Sequence, residues 1–288
     1  MSSAAAPMPV PKPMRSRRAP YDVAGRWALI TGGSSGLGEA VAHELARRGA
    51  NLILVAHDPS KLAAAADLVR RTYPDVDVTT HALDLADRDA RSRLLETLGQ
   101  GPQVDIVVNN AGVDWTGPFV TQTQTHLSEL VNLNVGAVAQ FSKHYAREMA
   151  ERGEGVILNM TSLGGLFPLP YHAAYGGSKA YILSMTEALA YELRGTGVNI
   201  TAAAPGPVRT QLFERGGMRP IRWRERLYYR DRGWVVRRVV EAALDGRRLI
   251  VPGLFERFLA FGGRLIPRFL QTWIAREIVR GVPITPAK

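Results

Sequence analysis

Between Trp27 and residue 204, short apolar runs alternate with longer stretches of helical periodicity. The runs are Trp27–Thr31, Asn51–Ala56, 76–83, Val104–Asn109, Gly155–Met160 and 199–204. Helical stretches near 37–48, 61–72, Arg88–Leu98, 125–150 and 175–194 separate them. Strands that are apolar along their whole length are buried on both faces, which is the habit of a parallel sheet covered by crossover helices. Such crossovers are right-handed, so the pattern predicts an α/β fold with a doubly wound parallel sheet of six or seven strands. No repeat or linker interrupts residues 25–204. The expected plan is one catalytic domain over 21–213, a disordered basic tail over 1–20, and a helical C-terminal extension over 214–288 that covers the substrate.

Composition removes whole classes of chemistry. Without cysteine there are no disulfides, thiolate nucleophiles or cysteine-held metal centres. No apolar run reaches the ~18 residues of a spanning helix. The tail carries Pro7, Pro9, Pro11 and Pro13 with its arginines last, unlike a signal peptide. The net charge of +10 is uneven: residues 1–20 carry +4, 21–213 carry −4, and 214–288 carry +10. A mildly acidic body with basic ends suggests appendages that face something anionic.

Two motifs carry chemistry. The first run ends in Thr31-Gly-Gly-Ser-Ser-Gly-Leu-Gly38 and passes straight into a helix. Gly32 permits the sharp turn, Gly36 lets a ligand approach bare backbone, and Gly38 lets the helix pack close to the sheet. The free N–H groups at the helix start then suit a pyrophosphate, as in a Rossmann fold's nucleotide loop; the bland alternative is a glycine-rich strand–helix turn. Further on, Tyr175 and Lys179 stand four residues apart at the head of a helical run, so one face presents phenol and ammonium together. A nearby ammonium favours phenolate and predicts a lowered tyrosine pKa suited to proton transfer. Ser162 follows a predicted strand, where its hydroxyl is able to bind a substrate oxygen.

With these motifs in this order, the chain resembles the short-chain dehydrogenase/reductase superfamily over about residues 22–213. The resemblance rests on the Thr31–Gly38 loop, Asn109-Asn110-Ala111-Gly112, Asn134, Ser162, Tyr175 with Lys179, and the run from Pro205 through Gly206 and Val208 to Thr210. It implies that Tyr175 is the catalytic acid/base, that Lys179 lowers its pKa and holds the nicotinamide ribose, and that Ser162 orients the carbonyl. Asn134 would hold a water linking Lys179 to bulk. Cofactor contacts are implied for Gly32, Ser34, Ser35, Gly36, Leu37 and Gly38, and for Asn109, Asn110, Ala111 and Gly112 on the adenosine side. They are implied also for Pro205, Gly206, Val208 and Thr210 near the carboxamide, and for Asp84 and Leu85 at the adenine, although Asp84 also reads as a helix cap. Gly177 departs from the family's commoner alanine and costs the helix about 1 kcal/mol.

The second strand ends Ala56-His57-Asp58, with alanine where NAD users place an acid and His57 where NADP users often place arginine. This favours NADP(H) over NAD(H), although Asp58 has room to turn into the same space. The six histidines, His43, His57, His81, His126, His144 and His172, show no metal-ligand spacing, and no metal is expected. His172 and Tyr171 are candidates to line the substrate side.

The substrate is expected to be a lipophilic ketone or alcohol, with Leu166, Phe167, Leu169, Leu212, Phe213 and Met218 around it. The stretch from Tyr171 to Gln211 and the Val251-Pro-Gly-Leu254 segment look most like bacterial reductases of such compounds. Arginine-rich 219–238 interleaves four aromatics, and 254–261 and 265–279 read as short amphipathic helices. These helices either lie on an anionic membrane or pack against the protein. Nucleic acid is not expected as a partner. The expected activity is interconversion of a secondary alcohol and a ketone by a cytoplasmic homo-oligomer. A cofactor-sensing binding protein and a membrane-peripheral lipid-modifying reductase are the other readings.

Overall fold

A computed structural model describes residues 20–208, 230–263 and 265–279 of the chain. The tail before residue 20, and Thr210, Leu212, Phe213 and Met218, lie outside the described residues.

The strands are β1 (Trp27–Thr31), β2 (Asn51–Ala56), β3 (Val78–Ala82), β4 (Val104–Asn109), β5 (Gly155–Met160), β6 (Val198–Ala203) and β7 (Leu249–Ile250). Helices α1 (Gly36–Arg47), α2 (Pro59–Thr72), α3 (Arg88–Leu98), α4 (Gln124–Val131), α5 (Val138–Arg152), α6 (Ala173–Glu192) and α7 (Arg232–Leu244) accompany them. Two more, α8 (Leu254–Gly263) and α9 (Arg268–Val279), follow the last strand. All strand pairs are parallel, in the order β3-β2-β1-β4-β5-β6-β7. The chain builds outward from β1 on one side and restarts at β4 on the other. In open sheets of this kind ligands bind beyond the carboxyl ends of the strands at that reversal.

Alternation along each strand splits the core in two. Ile30, Leu52, Leu54, Val108 and Leu158 face α1, α2 and α7, where Val41, Leu45, Leu62, Val69, Val236 and Val240 meet them. Leu29, Ile53, Val107 and Ile157 face the opposite layer, packed with Leu94, Phe141, Tyr145 and Met149. Phe141 is wholly buried, and truncating such a ring costs about 3–5 kcal/mol. Local signals set the helix ends. Asp58 accepts from Lys61 N at 3.0 Å ahead of Pro59, Asp87 accepts from Asp89 N at 2.8 Å, and Gly153 closes α5 with φ 87°.

Three features depart from expectation. The single helical stretch over 125–150 is interrupted by a π-helical turn at Asn132–Ala137. Arg91 is buried beside it and donates to Leu85 O (2.6 Å), Asn132 O (3.4 Å) and Gln140 Oε1 (2.7 Å), of which only the Asn132 carbonyl belongs to the π turn. Burial pulls the Arg91 pKa below its ordinary value. Within arginine-rich 219–238, the described part after Asp231 is α7, whose Val235, Val236, Val239 and Val240 are buried. The two-residue β7 is too short to announce itself in sequence.

The buried stripe of α8 is Glu256, Ala260 and Gly263. Glu256 takes both guanidinium arms of Arg230, at 3.0 and 3.3 Å, and Arg230 in turn pairs by backbone with Val208. A Cβ on Gly206 would stand 2.9 Å from Glu256 Cγ.

Candidate active site

The carboxyl ends of β1 and β4 are tied together before any ligand is considered. Thr31 Oγ1 accepts from Asn110 N (2.9 Å) and Ala111 N (3.1 Å), and donates to Val108 O (3.3 Å). Asn110 Nδ2 returns to Thr31 O (3.1 Å) and Gly32 O (3.3 Å). Gly32 turns out of β1 with φ 67°, and Gly38 sits so close to the Gly32 carbonyl that any side chain there would collide with it. Ser35 caps α1 with backbone alone, so the first N–H groups of the helix have no side-chain acceptor.

These ends frame a cleft of about 720 Å³, within the usual size of small-molecule and cofactor sites. Gly32, Ser34, Ser35, Gly36 and Leu37 line it, with Ala56 and His57 from β2 and Asp84 and Leu85 after β3. Asn110, Ala111 and Gly112, then Ser162, Tyr175 and Lys179, then Pro205, Gly206 and Val208 complete the walls. Bare helix N–H groups, a loop without side chains in the way, and this row of residues are able to hold a dinucleotide. Asp84 accepts from Ala86 N at 2.8 Å and does not cap a helix; the cap of α3 is Asp87. Asp58 is engaged with Lys61, through the backbone N–H at 3.0 Å and the ammonium at 3.2 Å.

Some expected contacts are placed elsewhere. Asn109 is buried outside the cleft, its amide donating to Asn159 Oδ1 (2.8 Å) and Ser142 Oγ (3.2 Å). As the last residue of β4 its side chain points into the layer of α5, while Asn110 turns toward β1. Gly38 lies beneath Gly32, where it serves packing. Asn134 is fully buried: its Oδ1 accepts from Val113 N (2.9 Å), and its Nδ2 donates to Val113 O (2.9 Å) and Ser178 Oγ (3.1 Å). The π turn carries this amide inward, and it clasps the backbone beside Gly112 without a hydrogen bond to Lys179. Thr210 is outside the described residues.

Ser162, Tyr175 and Lys179 do come together. Ser162 Oγ accepts from Gly164 N at 3.1 Å and hydrogen-bonds the Tyr175 phenol. Lys179 Nζ stands 5.6 Å from the centre of the Tyr175 ring and donates to Met160 O at 3.1 Å. The phenol pKa is not lowered as the spacing suggests. Burial pushes it well above 10, Asp114 adds to the rise, and the Ser162 hydrogen bond only opposes it. Burial brings the Lys179 ammonium down to about 8, against an upward push from Asp114. Desolvation of the charged form is the largest influence on each group.

Asp114 was not singled out by sequence. It lines the cleft, is buried, and receives His172 Nδ1 at 3.0 and 3.2 Å on its two oxygens. His172 is therefore not an open wall of the substrate side; it sits at the start of α6 with its ring 6.4 Å from that of Tyr175. Neighbouring Tyr171 holds φ 65° and its carbonyl accepts from Gly117 N at 2.8 Å, fastening the loop after β4 to the start of α6. A signal for the pair existed: an acid five residues beyond the end of a central strand in a fold whose strand ends make the site.

The family model for short chain dehydrogenase matches residues 26–217. The chain belongs to this family. Its members are oxidoreductases, and the Rossmann-type sheet described above is theirs. In sequence the chain is 36% identical over 192 residues to the very-long-chain 3-oxoacyl-CoA reductase of Pyrenophora tritici-repentis, covering 65% of this chain and 56% of that protein. It spans little more than half the length of the curated relatives it matches. In structure it is similar to a short-chain dehydrogenase from Sphingobium yanoikuyae in complex with NADPH, with TM-score 0.75, 27% identity, and coverage of 91% of this chain and 98% of that one. It is also similar to the bulky-bulky ketone specific alcohol dehydrogenase from Comamonas testosteroni, with TM-score 0.72, 26% identity and coverage of 91% and 97%.

Proposed function

We propose that this protein is an NADP(H)-dependent oxidoreductase that interconverts a lipophilic ketone and its secondary alcohol. The observation that carries the reading is that Ser162, Tyr175 and Lys179 line the same cleft as the Gly32–Leu37 loop. A bound nicotinamide supplies or accepts the hydride. Ser162 donates to the substrate oxygen and fixes the carbonyl. Tyr175 gives that oxygen its proton as negative charge develops there. A buried phenol whose pKa lies above 10 keeps its proton at neutral pH, which suits an acid in the reductive direction. Lys179 supplies positive charge beside the phenol and donors for a ribose, and Asp114 sustains its protonation. Asn134 acts one step back, through Val113 and Ser178.

The preference for NADP(H) is supported by Ala56 and His57 in the cleft, where no carboxylate opposes a 2′-phosphate, and by the engagement of Asp58 in the α2 cap. The NADPH named with the Sphingobium yanoikuyae structure agrees with it. A lipophilic substrate is supported by Trp115, Leu133 and Met160 in the walls, and by the long-chain and bulky substrates in the names of the relatives. The test is a panel of ketones followed by nicotinamide absorbance. Tyr175→Phe should bind NADPH normally and lose about 10²–10⁴-fold in turnover, the range of positioned acid–base groups. Turnover retained within a few-fold, or a strong preference for NADH, would refute the respective halves of the proposal.

A further inference from the structure

Helices α8 and α9 wear their apolar residues on the outside. On α8, Leu254, Phe255, Phe258 and Phe261 are 80%, 57%, 73% and 63% exposed, while its inner stripe is a carboxylate, a methyl and a glycine. On α9, Phe269 and Trp273 are 76% and 57% exposed, and Leu265 in the connection is 87% exposed. Gln271 Nε2 donates to Gly263 O (2.7 Å) and Ile266 O (2.9 Å), so α9 is fastened to the end of α8 and the two are one structural unit. Elsewhere among the described residues, large exposed apolar side chains are scattered along the chain. Scattered ones are ordinary; a concentration of aromatics at one place is an interaction site.

Charge narrows the occupant. From 254 onward the sequence has Arg257, Arg264, Arg268, Arg276, Arg280 and Lys288 against Glu256 and Glu277. Glu256 is already paired with Arg230, and Arg268 and Arg276 are exposed. Aromatics beside exposed arginines suit the interface of an anionic bilayer, where rings enter the acyl boundary and guanidinium groups meet phosphate. A twofold pairing of two copies through this unit would lay basic residues against their own kind. Among the described residues no helix is long and apolar enough to cross a membrane, so the unit would rest on the surface.

The inner side of α8 meets the cleft wall through Glu256 and Gly206. Glu256 touches Gly206, the Phe167 ring packs on Gly263, and Ala260 lies in a small cluster with Leu163 and Leu166, just after Ser162. We propose that α8 and α9 dock on an anionic lipid surface, so that a lipophilic ketone reaches the cleft from the bilayer interface. The route rests on the oxidoreductase reading; the docking does not.

Sedimentation with vesicles reads docking without turnover. The full chain should pellet with phosphatidylcholine–phosphatidylglycerol vesicles, and much less with phosphatidylcholine alone or at high salt. The double variant Phe258→Glu with Trp273→Glu should partition at least about tenfold more weakly, while circular dichroism and turnover of a water-soluble ketone stay as in the parent. Arg268→Glu with Arg276→Glu should remove the preference for phosphatidylglycerol. A chain that stays in the supernatant with both vesicles overturns the proposal, as does an aromatic double variant that pellets like the parent. So does one that only converts a dimer to a monomer. A water-soluble ketone that is never reduced, with docking intact, would fault the reaction and leave the surface standing.

Discussion

Around β1 and β4 polar side chains lie inside the protein, and Thr31, Asn109, Asn110 and Asn134 each have partners there. On α8 and α9 apolar side chains lie outside. Each arrangement is costly in isolation: a buried amide without a partner costs about 1–3 kcal/mol, and exposed aromatic rings forgo burial. For these four side chains the protein itself supplies the compensation, as a network that holds the cleft's edges in place, whereas Trp115 Nε1, Thr116 Oγ1 and Gln122 Oε1 in the loop after β4 are buried without a partner among the described residues. In the second region the outer rings remain largely exposed among the described residues. A satisfied network marks where geometry is held, and a cluster of exposed rings marks a candidate contact surface.

The contrast can be broken at several points. Gly38→Val has the largest expected effect, because its branches run into the Gly32 carbonyl and the Asn110 amide. NADPH affinity should fall by more than about 100-fold in calorimetric titration, and near-normal binding would show that the loop is not held as described. Asn134→Ala should cost about 2–4 kcal/mol of unfolding free energy in denaturant titration, since it leaves Val113 and Ser178 without their buried partner. A third change sharpens the electrostatics. Asp114 raises the pKa of both Tyr175 and Lys179, so Asp114→Asn lowers both. Lys179, at about 8 in the parent, then loses its proton at lower pH. The alkaline limb of kcat/KM should move toward neutrality, and an unmoved limb would remove Asp114 from the site's charge balance. Phe258→Glu is the smallest: stability should stay within about 0.5 kcal/mol of the parent, because that ring is 73% exposed.

Much of the fold was legible because the central parallel strands spell themselves as apolar runs, and the first six strands stand where runs were expected, although the edge strand β3 is mostly exposed and only weakly apolar. The glycine loop and the Tyr175–Lys179 spacing were legible because close approach and a shared helix face each demand particular residues at fixed intervals. Asn109 was read with its neighbours as one motif, yet adjacent residues at a strand end face opposite layers. The π turn left the apolar pattern of 125–150 nearly unbroken, so periodicity could not reveal it. Asp114 and His172 are 58 positions apart, and only the meeting of the β4 loop with the head of α6 makes them a pair. The direction of the phenol's shift was missed for a related reason: spacing reports that an ammonium is near, but not how little water is.

Glu256 joins the two regions compared above. Its carboxylate grips Arg230 on one side and fills the space that a side chain on Gly206 would need on the other. The helix that carries the outer rings is thus tied, through one carboxylate, to the rim that Pro205 and Gly206 give the cleft.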